Sequence, residues 1–142
     1  MHLSPTTGTR QKGATLLEAL IGILIFSVGI LALVGMQALA IKQMTDAKYR
    51  SDASFFANEI IGHMWGNRAS LGSYAFNGTG TPPAALTGWV ASIQNGLPGV
   101  AGAANTLPII AVAGTTVTVT VRWQAPGGSA VHRHITLAHI NG

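Results

Sequence analysis

The stretch KGATLLEALIGILIFSVGILALVGMQALAI, residues 12–41, decides how this chain folds. Its residues 19–41 carry no charged side chain. As a helix with a rise of about 1.5 Å per residue, they span about 35 Å, enough for a bilayer core of about 30 Å. A soluble chain of 142 residues has too small a core to bury so long a helix without a polar stripe. The stretch therefore predicts one transmembrane helix.

Glu18 separates this stretch from an ordinary export signal. The apolar core of a signal peptide is usually about 7–15 residues long, well short of this one. An ionisable side chain at the edge of the membrane is costly and usually functional, and a cleavable export signal has no use for it. Residues 38–40 read Ala-Leu-Ala, the small-x-small pattern that signal peptidase cuts. A membrane-tethered or secreted binding domain with an ordinary signal therefore remains an alternative.

The charges that flank the apolar run predict its orientation. Arg10 and Lys12 precede it, whereas residues 42–52 mix three cations with two acids. The positive-inside rule then places the N-terminus in the cytoplasm and the rest of the chain in the periplasm.

Residues 12–18, Lys-Gly-Ala-Thr-Leu-Leu-Glu, followed by a long apolar run, resemble the class III signal of type IV prepilins. The resemblance implies that a dedicated prepilin peptidase cuts after Gly13 and that the new N-terminal Ala14 is methylated on its amine. That family most often has phenylalanine where this chain has Ala14. Residues 1–13 would be the leader peptide and residues 14–41 the transmembrane half of the N-terminal helix. The expected partners are prepilin peptidase, inner-membrane lipid, and other major and minor pilins through this helix.

Glu18 has a physical reason to be present in such an assembly. A free α-amine and a carboxylate in a low dielectric each need a partner. Glu18 of one subunit can pair with the Ala14 amine of its neighbour and so fix the axial register of assembly. The alternative is that Glu18 only reaches back to the cytoplasmic headgroups.

Residues 42–69 continue as an amphipathic helix, with Gly66 and Gly72 as candidate ends. Because no proline interrupts residues 14–69, one helix can start in the membrane and end in the soluble domain. The spacing predicts a buried stripe with three further residues beside it: Tyr49, Ala53, Phe56, Ile60 and Met64, with Ala57, Ile61 and Trp65.

The remaining chain predicts one short helix and an antiparallel meander. Turn residues occupy 73–85, a helical pattern covers 86–97, and small residues at 99–104 form a linker. Strands are expected over 107–113, 115–123 and 130–140, with a turn at 125–129. Two sets of side chains should face the core: Val117, Val119, Val121 and Trp123 on the second strand, and Val131, Ile135 and Leu137 on the third.

The predicted fold class is α+β, a long N-terminal helix packed on a small antiparallel meander, and residues 42–142 form the periplasmic domain. This order of elements is typical of pilins, and the sequence is most similar to PilV-type minor pilins (type IV pilus modification proteins). Three shorter segments carry that finer resemblance: Met-Trp-Gly-Asn-Arg at 64–68, Leu-Pro-Gly at 97–99 and Val-Thr-Val-Arg-Trp at 119–123. The resemblance implies a minor pilin that takes part in assembly as part of a priming or tip complex and reaches the cell surface in the pilus. Minor pseudopilins of type II secretion systems share the Thr-Leu-Leu-Glu start and remain an alternative.

Composition argues against several other functions. The chain has no cysteine, and no aspartate or glutamate follows Glu59. His132 and His134 lie two residues apart on a predicted strand, with His139 nearby, but this set lacks the further ligands that zinc sites use. The eight Lys and Arg are scattered and form no basic stripe. We therefore expect no catalytic site, metal, cofactor or nucleic acid.

Overall fold

The computed structural model describes residues 12–100 and 106–141, with Lys12 described by its backbone alone. Residues 1–11 of the predicted leader and residues 101–105 of the predicted linker lie outside the described part. Two α-helices and three strands follow one another in the chain: α1 (Lys12–Gly66), α2 (Thr87–Gly96), β1 (Ile109–Ala113), β2 (Thr116–Gln124) and β3 (Val131–His139). Short 3-10 helices cover Arg68–Tyr74 and Ala84–Leu86. The predicted α+β class is confirmed.

The chain divides into two compact units between Gln43 and Met44. In the first unit, α1 is exposed at every residue from 13 to 43. Its apolar run is long and hydrophobic enough to cross a membrane, and none of this run is buried. The hydroxyl of Ser27 donates to the carbonyl of Ile23 over 2.7 Å, which satisfies the polar group inside the helix.

The second unit is built around one hydrophobic core. The rest of α1 contributes three fully buried residues of the predicted stripe, whereas Tyr49 and Phe56 are only partly buried. Trp65, predicted beside the stripe, is 45% exposed, whereas Ile61, one turn earlier, is buried. Trp65 is the penultimate residue of α1.

Helix α2 is joined to α1 by two close contacts. The indole Nε1 of Trp89 donates a hydrogen bond to the main-chain carbonyl of Phe56 over 2.9 Å. At the other end of α2, a Cβ at Gly96 would lie 2.7 Å from Cζ of Phe56. The ring of Phe56 therefore uses the space that the missing side chain leaves. The predicted short helix, with its end at Gly96, is confirmed.

The three strands form an antiparallel meander in the order β1-β2-β3. On β2, the alternation predicted from sequence is confirmed, because Val117, Val119, Val121 and Trp123 are all buried. These four residues define the core face of the sheet. The turn before β3 places proline at 126 and Gly127 at φ 73°, and the amide of Gly128 donates to the carbonyl of Ala125 over 3.0 Å. This is the geometry of a type II turn.

The predicted orientation of β3 was wrong. Val131, Ile135 and Leu137 are 47%, 53% and 67% exposed. The register explains why, since Ile135 lies opposite Thr120 and Leu137 lies opposite Thr118. Directly opposite residues of an antiparallel pair share a face. These aliphatic side chains therefore lie with the threonines of β2, on the side that we call the outer face of the sheet.

The segment predicted as a plain loop contains an additional strand contact. Phe76 and Ile110 exchange two main-chain hydrogen bonds of 2.9 and 2.8 Å, an antiparallel bridge at the free side of β1. The carbonyl of Leu107, just before β1, accepts hydrogen bonds from Nε and Nη2 of Arg122 on β2. Burial lowers the pKa of the Arg122 guanidinium.

Candidate functional site

The candidate site is the start of α1, where the sequence predicts processing. Gly13 and Ala14 are the second and third residues of the helix. A Cβ at Gly13 would meet no atom within 4 Å among the described residues. Glycine in a helix costs about 1 kcal/mol relative to alanine. Packing among the described residues gives no reason for that cost.

Glu18 lies on α1 one turn after Ala14, which places the two residues on the same side of the helix. Its side chain is exposed. Among the side chains that the structure describes, no cation forms an ion pair with Glu18.

The residues after Glu18 present apolar side chains around the whole helix. Exposed large side chains on all sides include Leu20, Ile21, Ile23, Ile25 and Phe26. An exposed apolar surface of this extent on a water-soluble protein would cause association. Its chemistry fits lipid or the equivalent helices of neighbouring subunits.

An ion pair lies on α1 beyond this surface. Nζ of Lys48 donates a hydrogen bond to Oδ2 of Asp52 over 2.8 Å, an i,i+4 ion pair. That hydrogen bond and the Asp52 charge raise the pKa of Lys48. Because this lysine is exposed, the ion pair contributes little to stability.

The three C-terminal histidines do not converge on one point. His132 stacks on Trp123 with ring centroids 5.7 Å apart, and Nε2 of His134 lies 3.0 Å from the hydroxyl of Thr136. His139 lies opposite Thr116 on the outer face and contacts its hydroxyl at 3.1 Å. Within the described residues, no group of three His, Cys, Asp or Glu could hold a metal ion.

Comparison with known proteins gives one match, at the predicted site. The family model of the prokaryotic N-terminal methylation motif matches residues 8–34. No curated protein and no solved structure matches the chain. The matched residues include Gly13, Ala14 and Glu18 and residues 19–34 of the apolar run.

The motif and the helix that carries it indicate a type IV pilin-like or pseudopilin protein. The motif is typical of structural proteins. The motif implies processing by prepilin peptidase and assembly with other pilins. The single apolar helix near the N-terminus fits anchoring in a membrane.

Proposed function

We propose that this chain is a minor pilin of the PilV type, a structural subunit that takes part in type IV pilus assembly as part of a priming or tip complex. One observation carries the proposal: the methylation motif lies at the start of a helix whose apolar surface is uncovered from residue 13 to residue 43. Before assembly, lipid covers that surface. In the filament, the helices of neighbouring pilins cover it.

The same proposal assigns the segments of the chain. Residues 1–13 are a leader that prepilin peptidase removes between Gly13 and Ala14, and the new Ala14 amine is methylated. Residues 14–41 cross the inner membrane with the N-terminus in the cytoplasm, and residues 42–142 fold in the periplasm. The match of the N-terminal methylation motif over residues 8–34, which include Gly13 and Ala14, supports this assignment.

Glu18 has the role of setting register in this proposal. Its carboxylate pairs with the Ala14 amine of a neighbouring subunit, so a subunit inserts at one axial position only. Leaving either charge unpaired in a low dielectric would cost about 3–5 kcal/mol. The lack of a cation partner for Glu18 among the described side chains supports an intermolecular role.

Expression of the full chain with a C-terminal epitope tag, in cells with and without prepilin peptidase, tests the proposal. We expect the leader to be lost only when the peptidase is present and the processed chain to appear in sheared pili at a low ratio to the major subunit. Gly13→Val should remain unprocessed. Gly22→Val is the matched control, because Gly22 also lies in α1 with open surroundings but away from the cut, and it should be processed normally.

Two results would contradict the proposal in different ways. Cleavage in cells that lack prepilin peptidase would show an ordinary export signal. Normal processing without any appearance in sheared pili, together with a defect in protein secretion, would show a minor pseudopilin of a type II secretion system.

A further inference from the structure

In the described part of the chain, the outer edge of β3 is long and carries one lysine or arginine, Arg133. All nine residues of Val131–His139 pair with β2 in unbroken register. In the described part of the chain, no strand pairs with the other side of β3. Proteins usually protect such edges with proline, lysine, a bulge or a covering segment. The sequence of β3, VHRHITLAH, contains neither proline nor lysine, and its register contains no bulge.

Exposed aliphatic side chains line this edge on the outer face. Val131, Ile135 and Leu137 are each about half exposed or more. The even-numbered residues from His132 to Ala138 are half-buried on the core face. An extended segment added beside β3 would gain main-chain hydrogen bonds and also cover these three side chains.

Two arginines on the outer face indicate that such a segment carries an acidic residue. Arg122 on β2 lies directly opposite Arg133 on β3. Like charges in directly opposite positions destabilise a strand pair. The guanidinium of Arg122 donates to the Leu107 carbonyl, while Arg133 is exposed and forms no ion pair with any side chain that the structure describes.

The chain has few acidic residues that could neutralise Arg122 and Arg133. Its four acidic residues, Glu18, Asp46, Asp52 and Glu59, all lie on α1, and Asp52 is already paired with Lys48. A second copy that added its own β3 would bring a further Arg133 and no carboxylate from its sheet. This charge pattern opposes self-pairing and favours a different partner.

We propose that the edge of β3 binds an extended strand of another protein, which places an aspartate or glutamate beside Arg133 and apolar side chains beside Ile135 and Leu137. The strand would extend the sheet of the second unit by one member. The proposal goes beyond the pilin assignment, because none of these residues lies in the matched motif or in the apolar helix.

Binding of synthetic strands to the full chain in detergent micelles tests this inference. The first probe is a seven-residue blocked peptide, Val-Thr-Val-Thr-Glu-Thr-Val, whose glutamate lies opposite Arg133 when the peptide pairs antiparallel to β3. The second probe has lysine in place of the glutamate. Fluorescence anisotropy gives the affinity, and amide hydrogen exchange locates the site.

We expect the glutamate peptide to bind about five- to tenfold tighter than the lysine peptide, from the difference between an attractive and a repulsive cross-strand pair. It should slow exchange of β3 amides. Arg133→Gln should bring the two affinities within about twofold. Arg68→Gln, which removes an exposed cation outside the sheet, should leave the preference unchanged.

Three outcomes would overturn the inference: equal affinities for the two peptides with the unmodified chain, a preference that survives Arg133→Gln, or exchange protection outside β3. Protection of β3 that rises with protein concentration in the absence of peptide would show instead that a second copy occupies the edge. None of these measurements depends on leader cleavage, so failure here is distinguishable from failure of the pilin assignment.

Discussion

Arg122 on β2 donates a hydrogen bond from Nε to the main-chain carbonyl of Leu107 over 2.8 Å, and this contact depends on a glycine elsewhere in the chain. Gly78 has a positive φ of 79°, and a Cβ there would lie 2.6 Å from Nη2 of Arg122 and 2.9 Å from Cγ1 of Ile109. Because Gly78 has no side chain, the loop before α2 can approach the start of β1 closely.

Gly78→Ala should destabilise the protein by about 2–4 kcal/mol, because it adds crowding to the cost of a positive φ. Gly80→Ala is the matched control. Gly80 also has a positive φ, 74°, but a Cβ there meets nothing within 4 Å. This control should cost only about 1–2 kcal/mol. Thermal unfolding followed by tryptophan fluorescence measures both, and equal losses would show that Gly78 is not tightly packed.

The corrected orientation of β3 is tested by two substitutions that remove the same number of carbon atoms. Ile60 is fully buried, so Ile60→Ala should cost about 2–5 kcal/mol. Leu137 is 67% exposed, so Leu137→Ala should cost less than about 1 kcal/mol. If Leu137→Ala proved as costly as Ile60→Ala in denaturant melts, Leu137 would lie in the core after all.

A fragment of residues 44–142 should fold without the membrane half of α1. Every residue of the core cluster lies in this range, and the first fully buried one is Ala53. A fragment of residues 66–142 lacks the buried stripe of α1 and should aggregate, because its core face is left uncovered. Dispersed amide resonances are expected for the longer fragment alone. A longer fragment with collapsed resonances would mean that the second unit needs residues 1–43.

Glu18→Ala should leave processing and membrane insertion intact but lower incorporation into filaments, because the carboxylate serves assembly and not insertion. Glu18→Gln should behave in the same way, since it keeps the shape and removes the charge. Glu59→Ala, a carboxylate on α1 beyond the apolar run, is the control and should assemble normally. Quantitative blots of sheared filaments measure incorporation. A normal amount of the Glu18→Ala chain in those filaments would exclude the register role.

The parts of the fold with a local signal in the sequence were predicted correctly. The prepilin-like motif is a continuous stretch, and the strict alternation along β2 predicted that Val119 and Trp123 face the core. The prediction failed for β3, whose aliphatic residues suggested that Ile135 faces the core. The register with β2 decides which face of β3 lies toward the core. Because β3 is an edge strand, its core-facing side chains are only half-buried, and histidine and threonine can occupy these positions.

Mass spectrometry of the intact protein, purified from cells that contain prepilin peptidase, tests the central claim most directly. The claim predicts a chain that begins at Ala14, lacks residues 1–13 and carries one methyl group on its terminal amine. A chain that begins at Ile41, the product of signal-peptidase cleavage after Ala40, would have lost the apolar helix and would contradict the claim.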